Sequence, residues 1–413
     1  MPGTNTVIIG AGHAGLAMSR CLADRGVPHV VLDRGCVGER WRTSRWDSFR
    51  LLTPNWLSRL PGWTYDGPDP DGFMTADDFV GYLSRYARSF NAPVHPNTLV
   101  TRVQRFGTEF ILGTDRGDWT ARNIVVATGY HSRAKVPELA RGLAPDVAQL
   151  TTSGYRSPSS LPAGPVLVVG ASASGVQIGH ELAVAGRRVY LAVGSHSRLP
   201  RRYRGRDILW WLDRLGSLDR SIDEVPSYEL AMAEPSLQLV GTPEGRQVDL
   251  GVLQEAGVQL VGRLAGLNGT DAEFADDLAD TMDAAQGRLD RVLGDINQFA
   301  DFAPGSARTR PDPPPRIRPR TSSSTLDLRR SGVSGVVWAT GFRPCNSWLG
   351  LPILDGNGLL RHRRGVTDVA GLYGIGLRFQ SRRNSTFIDG ARHDAVYLAD
   401  HITASRRVSV GVG

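Results

Sequence analysis

The chain has 413 residues, a formal net charge of +7 and a hydrophobic content of 41 %. This length exceeds what one hydrophobic core usually serves and is typical of two or three domains. With 22 % charged residues, the composition excludes a fibrous fold and global disorder.

The positive charge does not by itself indicate nucleic-acid binding. All but one of the 48 basic residues are arginine, the exception being Lys135. The arginines are scattered among acidic residues, and no basic stripe interleaved with aromatic residues occurs. We therefore predict that nucleic acid is not a partner.

Cysteine usage and hydropathy indicate the compartment. Three cysteines, at positions 21, 36 and 345, are too few and too scattered for a disulfide framework. The N-terminus shows no basic region followed by a long apolar stretch, and no apolar run is long enough to cross a membrane. These features predict a cytoplasmic protein without a membrane partner.

The N-terminal segment shows the strand, glycine turn and helix of a dinucleotide-binding unit. Gly10 permits a tight turn, Gly12 lets a pyrophosphate approach the backbone, and Gly15 allows close packing of helix on strand. Asp33 follows Gly10 by 23 residues and ends the second strand, where a carboxylate accepts a hydrogen bond from a ribose hydroxyl. The spacing predicts a first dinucleotide site.

A second unit repeats this pattern around Gly170 and Gly175, with Ser172 and Ser174 between them. The position that corresponds to Asp33 is Val193, so the ribose carboxylate is missing. Serine and arginine residues follow, and these attract a 2′-phosphate that an acid would repel. The pattern therefore favours NADPH over NADH. The candidate 2′-phosphate ligands are Ser195, Arg198 and Arg202.

Two further segments, NIVVATGY at 123–130 and GVVWATGF at 335–342, read as buried strands that end in Ala-Thr-Gly. Together with the two glycine loops they predict an α/β fold of two Rossmann-like dinucleotide-binding domains, the first of them discontinuous. The predicted divisions are 1–160 for the first part of the first domain, 161–325 for the second domain with a helical insertion near 271–303 and a Pro-rich linker at 304–320, and 326–413 for the return to the first domain.

These motifs resemble the class B flavin-dependent monooxygenases, and within that group the CzcO-like flavoproteins related to flavin-containing monooxygenases. The resemblance is carried by VIIGAGHAGLAMS, the segment from Gly38 through RWDSFRLLTPNW, VVATGY, VLVVGASASG, VVWATGF and GLYGIG, which cover nearly the whole length. It implies FAD in the first domain and NADPH in the second. It also implies a small-molecule substrate and molecular oxygen as partners.

The resemblance further implies roles for individual residues. By position, Arg40, Trp41 and Arg42 would line the pyrophosphate and the flavin, and the segment 376–380 would approach the flavin's pyrimidine side. Asn55 is the one candidate for a catalytic hydrogen bond near the flavin. The predicted cofactor-binding residues are Gly10, Gly12, His13, Ala14, Gly15, Asp33, Arg34, Arg40, Trp41, Arg42, Trp46, Thr53, Asn55, Val103, Ala127, Thr128, Gly129, Gly170, Ser172, Ser174, Gly175, Ser195, Arg198, Arg202, Thr340, Gly341, Gly376 and Gln380.

The implied reaction is a monooxygenation. NADPH would transfer hydride to the flavin, oxygen would give a C4a-(hydro)peroxyflavin, and this adduct would oxygenate an amine or sulfide, with a carbonyl compound as a further option. Such chemistry relies on exclusion of water. The substrate is expected in the crevice between the domains. Candidate wall residues are Tyr203, Trp210, Trp211, Phe342, Trp348, Phe379 and Phe387.

One motif departs from the family pattern. The linker signature Phe-x-Gly-x-x-x-His should fall just ahead of Tyr155, but its equivalent positions read Pro145, Val147 and Thr151. The missing histidine argues against Baeyer-Villiger chemistry. It leaves open an NADPH-dependent flavoprotein reductase or dehydrogenase without oxygen insertion, and more distantly a nucleotide-binding sensor.

Other chemistries lack their residues in the sequence. No pair of cysteines has the C-x-x-C spacing of a redox dithiol, and no histidines reach metal-ligand spacing with cysteine or carboxylate. No G-x-S-x-G elbow of a hydrolase occurs. We therefore predict no metal site, and the base rate for oligomers favours a homodimer.

Overall fold

The structure, a computed structural model, describes residues 1–302, 310–320 and 323–410. Its strands are β1 (Gly3–Ile9), β2 (His29–Leu32), β3 (Val94–His95), β4 (Val100–Phe106), β5 (Glu109–Thr114), β6 (Trp119–Val126), β7 (Arg133–Ala134), β8 (Ala148–Thr151), β9 (Val166–Val169), β10 (Val189–Ala192), β11 (Ser197–Arg198), β12 (Arg202–Tyr203), β13 (Arg206–Asp207), β14 (Leu237–Gln238), β15 (Gln259–Val261), β16 (Leu264–Asn268), β17 (Asp271–Phe274), β18 (Thr325–Asp327), β19 (Gly335–Trp338), β20 (Phe342–Arg343) and β21 (Leu372–Gly374). The α-helices are α1 (His13–Ala23), α2 (Glu39–Thr43), α3 (Ala76–Ser89), α4 (Ala173–Val184), α5 (Ile208–Arg214), α6 (Tyr228–Met232), α7 (Leu250–Glu255), α8 (Leu278–Phe302) and α9 (Ala391–Val410). Short 3₁₀ helices span Asn55–Leu57, Glu138–Gly142, Pro158–Ser160 and Ile222–Glu224.

The first sheet has seven strands. Its order is β3-β2-β1-β6-β5-β4, and β21 also pairs with β6. On one side of β6 lies β1; on the other side lie β5, which pairs as far as Ala121, and β21, which pairs from Ile124 onward. Helices α1, α3 and α9 cover one face of this sheet. The chain therefore returns to its first sheet at β21.

Helix α3 shows how local sequence fixes one of these covering elements. Thr75 caps the helix and accepts a hydrogen bond from the Asp78 backbone, while the Asp78 carboxylate bonds back to the Thr75 backbone. Phe79, Tyr82 and Tyr86 then recur at helical spacing and are fully buried. The capping box sets where the helix begins, and the aromatic stripe sets which face packs inward.

The second sheet is parallel throughout, in the order β15-β10-β9-β19-β8. Every residue of β9 and β19 is buried, because this sheet is covered on both faces. Helices α4 and α7 lie on one face, and the small antiparallel sheet β16-β17-β18 lies on the other. Two Rossmann-like α/β units on one chain confirm the predicted fold class.

The predicted range 161–325 leaves out part of the second sheet. Strands β8 and β19 both pair within that sheet, yet β8 precedes residue 161 and β19 follows residue 325. The chain passes between the two sheets at β7 and again at β20, and these two strands pair antiparallel with each other. The sequence gives no sign of this ribbon, because each of its strands has only two residues.

The predicted helical insertion near 271–303 begins with a strand. In β17, Ala272 and Phe274 are buried while Asp271 and Glu273 are exposed, which is the period of two that a strand shows. Helix α8 starts only at Leu278 and continues for 25 residues. In the predicted Pro-rich linker 304–320, residues 304–309 lie outside the described residues, and 310–320 form no helix or strand.

Hydropathy along the helices bears on membranes. Within the described ranges, no helix combines the length and the sustained hydropathy that a membrane span requires.

Candidate dinucleotide sites

The first glycine loop has little spare room at two positions and open space at the third. The backbone of Gly10 has φ +116°, and a Cβ there would lie 2.5 Å from the Ala127 carbonyl oxygen. A Cβ at Gly15 would collide with the carbonyl oxygen of Gly10, whereas a Cβ at Gly12 would meet no atom within 4 Å. Helix α1 thus packs tightly on the strands and leaves a cleft beside Gly12, at its N-terminus. A pyrophosphate fits such a cleft.

Asp33 is held against this loop by the backbone. Its carboxylate accepts hydrogen bonds from the Ala11 N–H at 2.6 Å and the Gly35 N–H at 2.9 Å. A carboxylate offers about four acceptor positions, so others remain for ribose hydroxyls. The neighbouring Arg34 is exposed. The predicted ribose ligand therefore lies beside the predicted pyrophosphate loop.

Basic side chains line the same cleft. Arg40 donates to the carbonyl oxygens of His131 and Ser132, and the Arg45 guanidinium lies over the Trp41 ring at 4.8 Å. In the described part of the chain, neither arginine forms an ion pair. Burial lowers the pKa of Arg45 to about 10, and the charge of Arg40 adds to this shift.

Two buried nitrogen atoms in this cleft have no hydrogen-bond partner: Nε of Arg45 and Nε2 of His13. His13 is the first residue of α1, so its ring lies at the helix N-terminus, where the dipole also favours an anion. The imidazole of His131 faces both arginines and His13, and burial together with those charges lowers its pKa. A cleft with basic groups and open N–H groups fits a dinucleotide pyrophosphate.

The pKa of His13 predicts how acid affects the flavin-free protein. Burial lowers this pKa from 6.5 to about 4, so the unfolded chain binds the proton more readily than the folded one between these values. Stability contributed by neutral His13 is therefore lost as the pH falls below about 6.5. We expect the melting temperature to fall from pH 7 to pH 5, and His13→Asn to make that fall shallower.

His95, whose ring is exposed, supplies the control for this measurement. His95→Asn should leave the slope of melting temperature against pH unchanged. A His13→Asn protein with the slope of the parent would contradict the assignment of His13 as a buried neutral base.

Asn55 is committed to the backbone of a neighbouring loop. Its Nδ2 donates to the Asp69 carbonyl oxygen at 2.8 Å, and its Oδ1 accepts from the Met74 N–H at 2.8 Å. The side chain is buried and spans the two ends of segment 69–74. This geometry favours a positioning role for Asn55 over the predicted catalytic hydrogen bond. Its neighbour Thr53 is also buried.

The segment after β21 lies against the first turn of α1. Gly376 has φ +75°, and a Cβ there would lie 3.1 Å from the Cβ of Ala14. Gln380 is buried; its Oε1 accepts from the Leu377 N–H at 3.2 Å, and its Nε2 has no partner. The structure thus brings Ala14 and Gly376 together, and the free buried Nε2 of Gln380 lies beside Gly365.

Two predicted cofactor ligands lie elsewhere. Val103 is wholly buried in β4, where its backbone bonds to Trp348 and Gly350, so its side chain is enclosed in the core of the first domain. Trp46 is buried in the core of the second domain, edge-on to Phe49 at 5.0 Å. The structure does not favour either as a cofactor ligand, because these apolar side chains fill cores, as most buried valine and tryptophan residues do. Arg42, also predicted to line this site, is exposed.

The second glycine loop repeats the first. Gly170 has φ +106°, and a Cβ there would lie 2.5 Å from the Ala339 carbonyl oxygen. A Cβ at Gly175 would collide with the carbonyl oxygen of Gly170. Ser172 takes the place of Gly12 at the helix N-terminus, and its side chain makes no capping hydrogen bond. Its hydroxyl and the N-terminal N–H groups of α4 are therefore available to a phosphate.

The two loops face the interdomain ribbon. Thr128 and Gly129 follow β6 of the first sheet, and Thr340 and Gly341 follow the corresponding β19 of the second. The Lys135 N–H, next to β7, donates to the Gly341 carbonyl oxygen at 2.9 Å, and the Thr340 hydroxyl donates to the Lys135 carbonyl oxygen. The segment that connects the domains, which follows Thr128 and Gly129 of the first site, is thus hydrogen-bonded to Thr340 and Gly341 of the second site.

Arg198 does not remain available to a coenzyme. Its guanidinium is buried and bonds to the Asp249 carboxylate at 2.9 Å, to Oε1 of Gln286 at 2.8 Å and to the Pro315 carbonyl oxygen at 3.0 Å. This geometry argues against the prediction that Arg198 binds the 2′-phosphate. Asp249 lies 51 residues further along the chain, so this ion pair cannot be predicted from residues near Arg198 in the sequence. Ser195 and Arg202 are both exposed.

Most of the predicted wall residues are core. Tyr203 and Trp211 are fully buried, and the Trp211 indole donates to the Tyr203 carbonyl oxygen at 2.8 Å. Trp210 is half-buried between two arginine guanidinium groups. Phe342 lies edge-on to His131 at 5.2 Å, so it is the wall residue that reaches the basic cleft. Of the others, Phe379 is buried, and Trp348 and Phe387 are half-buried and packed against the hydrophobic cores.

A cavity of about 840 Å³ lies beside the segment that carries Gln380. It is lined by residues 59–64, by the N-terminal part of α9, by Ser381 and Arg382, and by Ser221 from the second domain. Arg59 fixes one wall through ion pairs with Asp389 at 2.6 Å and Asp213 at 2.7 Å. The cavity has the size of a small-molecule site.

Close to that cavity, Asp219, Asp389 and His393 lie within 4.8 Å of one another. Their spacing in sequence does not reveal this group. Because Asp389 already pairs with Arg59 and Arg392, its charge is compensated without a cation.

Two matched glycine loops, each opening a helix beside its own sheet, define a protein with two dinucleotide-binding domains. The family model that matches residues 7–212 is described as pyridine nucleotide-disulphide oxidoreductase. The chain is 34 % identical over 402 residues to an uncharacterized CzcO-like oxidoreductase of Geobacillus kaustophilus (strain HTA426). This match covers 96 % of this chain and 98 % of that protein. The chain belongs to the CzcO-like oxidoreductase family.

Two further similarities concern monooxygenases. The chain is 31 % identical over 205 residues to the indole-3-pyruvate monooxygenase YUCCA4 of Oryza sativa subsp. japonica. This match covers 45 % of this chain and 46 % of that protein. A flavin-containing monooxygenase from Stenotrophomonas maltophilia has the same fold, with a TM-score of 0.66, 20 % identity and coverage of 98 % of this chain and 99 % of that chain. The protein is a flavin-dependent oxidoreductase.

Proposed function

We propose that this protein is an NADPH-consuming, FAD-dependent monooxygenase that oxygenates a small nucleophilic substrate, most favourably at nitrogen or sulfur. In the balanced reaction, NADPH, a proton, oxygen and the substrate give NADP⁺, water and the oxygenated product. Bound flavin supplies the redox chemistry, by accepting hydride and, when reduced, reacting with oxygen. The monooxygenase activities named for the two similar proteins above support this assignment.

The observation that carries the proposal is the pair of geometrically matched loops joined by the ribbon β7-β20. In the first domain, the cleft at Gly12 with His13, Arg40 and Arg45 would hold the FAD pyrophosphate, and Asp33 would hold the ribose. In the second, Ser172 and the N-terminus of α4 would hold NADPH. An exchangeable reductant and a resident flavin need two such sites on one chain.

The remaining residues of the cleft orient the flavin and limit access of water. The free Nε2 of Gln380 would donate to a flavin carbonyl, and Asn55 keeps segment 69–74 in place through its two backbone bonds. Phe342 and His131, packed edge to face, close the cleft where the two domains meet. Removal of water from such a site protects a reactive oxygen species from side reactions.

The test is anaerobic reduction of the purified yellow protein by NADPH, followed by rapid mixing with oxygenated buffer in the presence of candidate amines and sulfides. We expect bleaching of the flavin and then a transient near-ultraviolet species before oxidised flavin returns, with product formed in place of hydrogen peroxide. Direct return of oxidised flavin with one hydrogen peroxide per NADPH, whatever the substrate, would contradict the proposal.

The second candidate function is an NADPH-dependent flavoprotein reductase or dehydrogenase without oxygen insertion. It is favoured by the altered linker, in which Thr151 ends β8 where the family pattern has histidine. A dithiol mechanism is not available to it through the described cysteines, because Cys21, Cys36 and Cys345 are all unpaired and Cys21 is buried. Stoichiometric peroxide in the experiment above would favour this function. Bound flavin that NADPH does not reduce would favour a sensor.

The homodimer and the cytoplasmic location stay predictions. Sedimentation of the flavin-loaded protein measures the first directly.

A further inference from the structure

The burial of Arg198 leaves open which cation recognises the coenzyme's 2′-phosphate. Val193 directly follows β10, and its N–H donates to the Val261 carbonyl oxygen of the neighbouring strand, as the Asp33 N–H donates to His95 in the first domain. Val193 is thus the structural counterpart of Asp33 and carries no carboxylate. The next residues, Gly194 to His196, therefore border the position of the adenosine 2′ substituent.

One arginine of the inserted helix α8 reaches this turn. The Arg288 guanidinium donates from one terminal nitrogen to the His196 carbonyl oxygen at 2.6 Å. That turn is itself fixed, because Nδ1 of His196 lies 2.9 Å from the Gly194 carbonyl oxygen. Arg288 is 92 residues away in sequence, which is why a search near the strand end does not find it.

Arg288 differs from Arg198 in what surrounds its charge. Its Nε is buried without a hydrogen-bond partner, and within the described ranges it forms no ion pair. Burial lowers the pKa of Arg288, and the charge of Arg291 on the same helix lowers it further. Arg288 is half-buried and keeps a free Nε, and a phosphate accepts two parallel hydrogen bonds from such a guanidinium.

The other candidate, Arg202, is in a hairpin that packs against a different part of α8. It belongs to the hairpin β12-β13, in which the Tyr203 hydroxyl donates to Oδ1 of Asn297 at 2.8 Å. Asn297 follows Arg288 by nine residues, which places it about 13 Å further along the helix. Arg202 itself donates to the Gly205 carbonyl oxygen at 2.8 Å. The hairpin is therefore distant from the turn at Ser195.

We propose that Arg288, presented by the inserted helix α8 beside Ser195, is the residue that binds the 2′-phosphate of NADPH and gives the second domain its preference over NADH. This inference rests on the proposed function, because it assigns the coenzyme of that reaction. It gives α8 a role in coenzyme selection in addition to its packing against the second domain.

The experiment measures equilibrium binding of NADP⁺, NAD⁺ and adenosine 2′,5′-bisphosphate to the flavin-loaded protein by calorimetry. In Arg288→Gln we expect affinity for NADP⁺ and the bisphosphate to fall by about ten- to hundredfold, the range of a lost charge-assisted hydrogen bond, while NAD⁺ affinity stays unchanged. Arg288→Lys should restore part of the loss. Arg330→Gln, which removes an exposed arginine that precedes β19, is the control and should bind as the parent does.

Three outcomes would overturn the inference: unchanged NADP⁺ affinity in Arg288→Gln, an equal loss for NADP⁺ and NAD⁺, or a parent protein that binds the two coenzymes equally. None of these outcomes contradicts the proposed function, because reduction of the flavin by either coenzyme is measured in a separate experiment. A parent protein whose flavin neither coenzyme reduces would instead remove the proposed function together with the inference.

Discussion

Replacing Gly12 by valine is expected to weaken flavin binding strongly while leaving the fold intact. A Cβ at Gly12 meets no protein atom within 4 Å, and the backbone there has φ −79° and ψ −176°, which valine adopts readily. The added methyl groups would instead occupy the space that a pyrophosphate needs at the N-terminus of α1. Overpacking of this kind costs about 1–3 kcal/mol, which weakens binding by about ten- to hundredfold.

The measurement is the ratio of flavin to protein absorbance after purification, together with a titration of the flavin-free protein by FAD. Circular dichroism of the flavin-free protein should match the parent. Ser172→Val is the matched control, because Ser172 holds the same position in the second loop. It should retain flavin and lose NADP⁺ affinity. A Gly12→Val protein that purifies with full flavin would contradict the placement of FAD in the first domain.

Replacing Arg198 by methionine should lower the free energy of unfolding by about 3–5 kcal/mol, because it leaves the buried carboxylate of Asp249 without its cation. The side chains of this pair are only 5 % and 6 % exposed. Asp249 also caps α7 by accepting from Gly251 and Val252, and those bonds keep the loss toward the lower end of the range. Urea unfolding of the flavin-loaded protein, followed by circular dichroism, measures the change.

Two variants separate the buried pair from a role in coenzyme binding. Arg202→Met removes an exposed arginine of the same segment and should leave unfolding within about 0.5 kcal/mol of the parent. The double variant Arg198→Met, Asp249→Leu should recover much of the stability, since replacing both members of a buried pair by apolar groups is far less costly than removing one. If Arg198→Met were as stable as the parent and lost NADP⁺ affinity, Arg198 would be the phosphate ligand after all.

The local sequence was enough to predict the two glycine loops and the strands that lead into them. Gly10 and Gly170 need positive φ, and Gly15 and Gly175 need the absence of a side chain, so these constraints are written directly into residue type and spacing. The fully apolar strands β9 and β19 likewise indicate a parallel sheet that is buried on both faces. The fold class follows from such features, because each depends on residues within about 25 positions of one another.

Side-chain roles could not be predicted in the same way. Val103 and Trp46 resemble cofactor contacts when only their neighbours in sequence are known, but their burial depends on strands and helices from distant parts of the chain. The sequence marks Asn55 as a hydrogen-bonding candidate, but in the structure both ends of the Asn55 side-chain amide bond to the backbone of segment 69–74. A polar side chain forms hydrogen bonds with the groups that the fold places within about 3 Å of it, and only the tertiary structure determines which groups these are.

The sequence by itself determined that this chain has two dinucleotide-binding units, that the first carries a ribose carboxylate and that the second lacks one. The tertiary structure alone decided which arginines remain available. Asp249 neutralises Arg198, whereas α8 brings Arg288 to the turn after β10, where no acid of the described residues pairs with it. The physical reason is that turn geometry is local, while the balance between a buried charge and its partner depends on groups that only folding brings together.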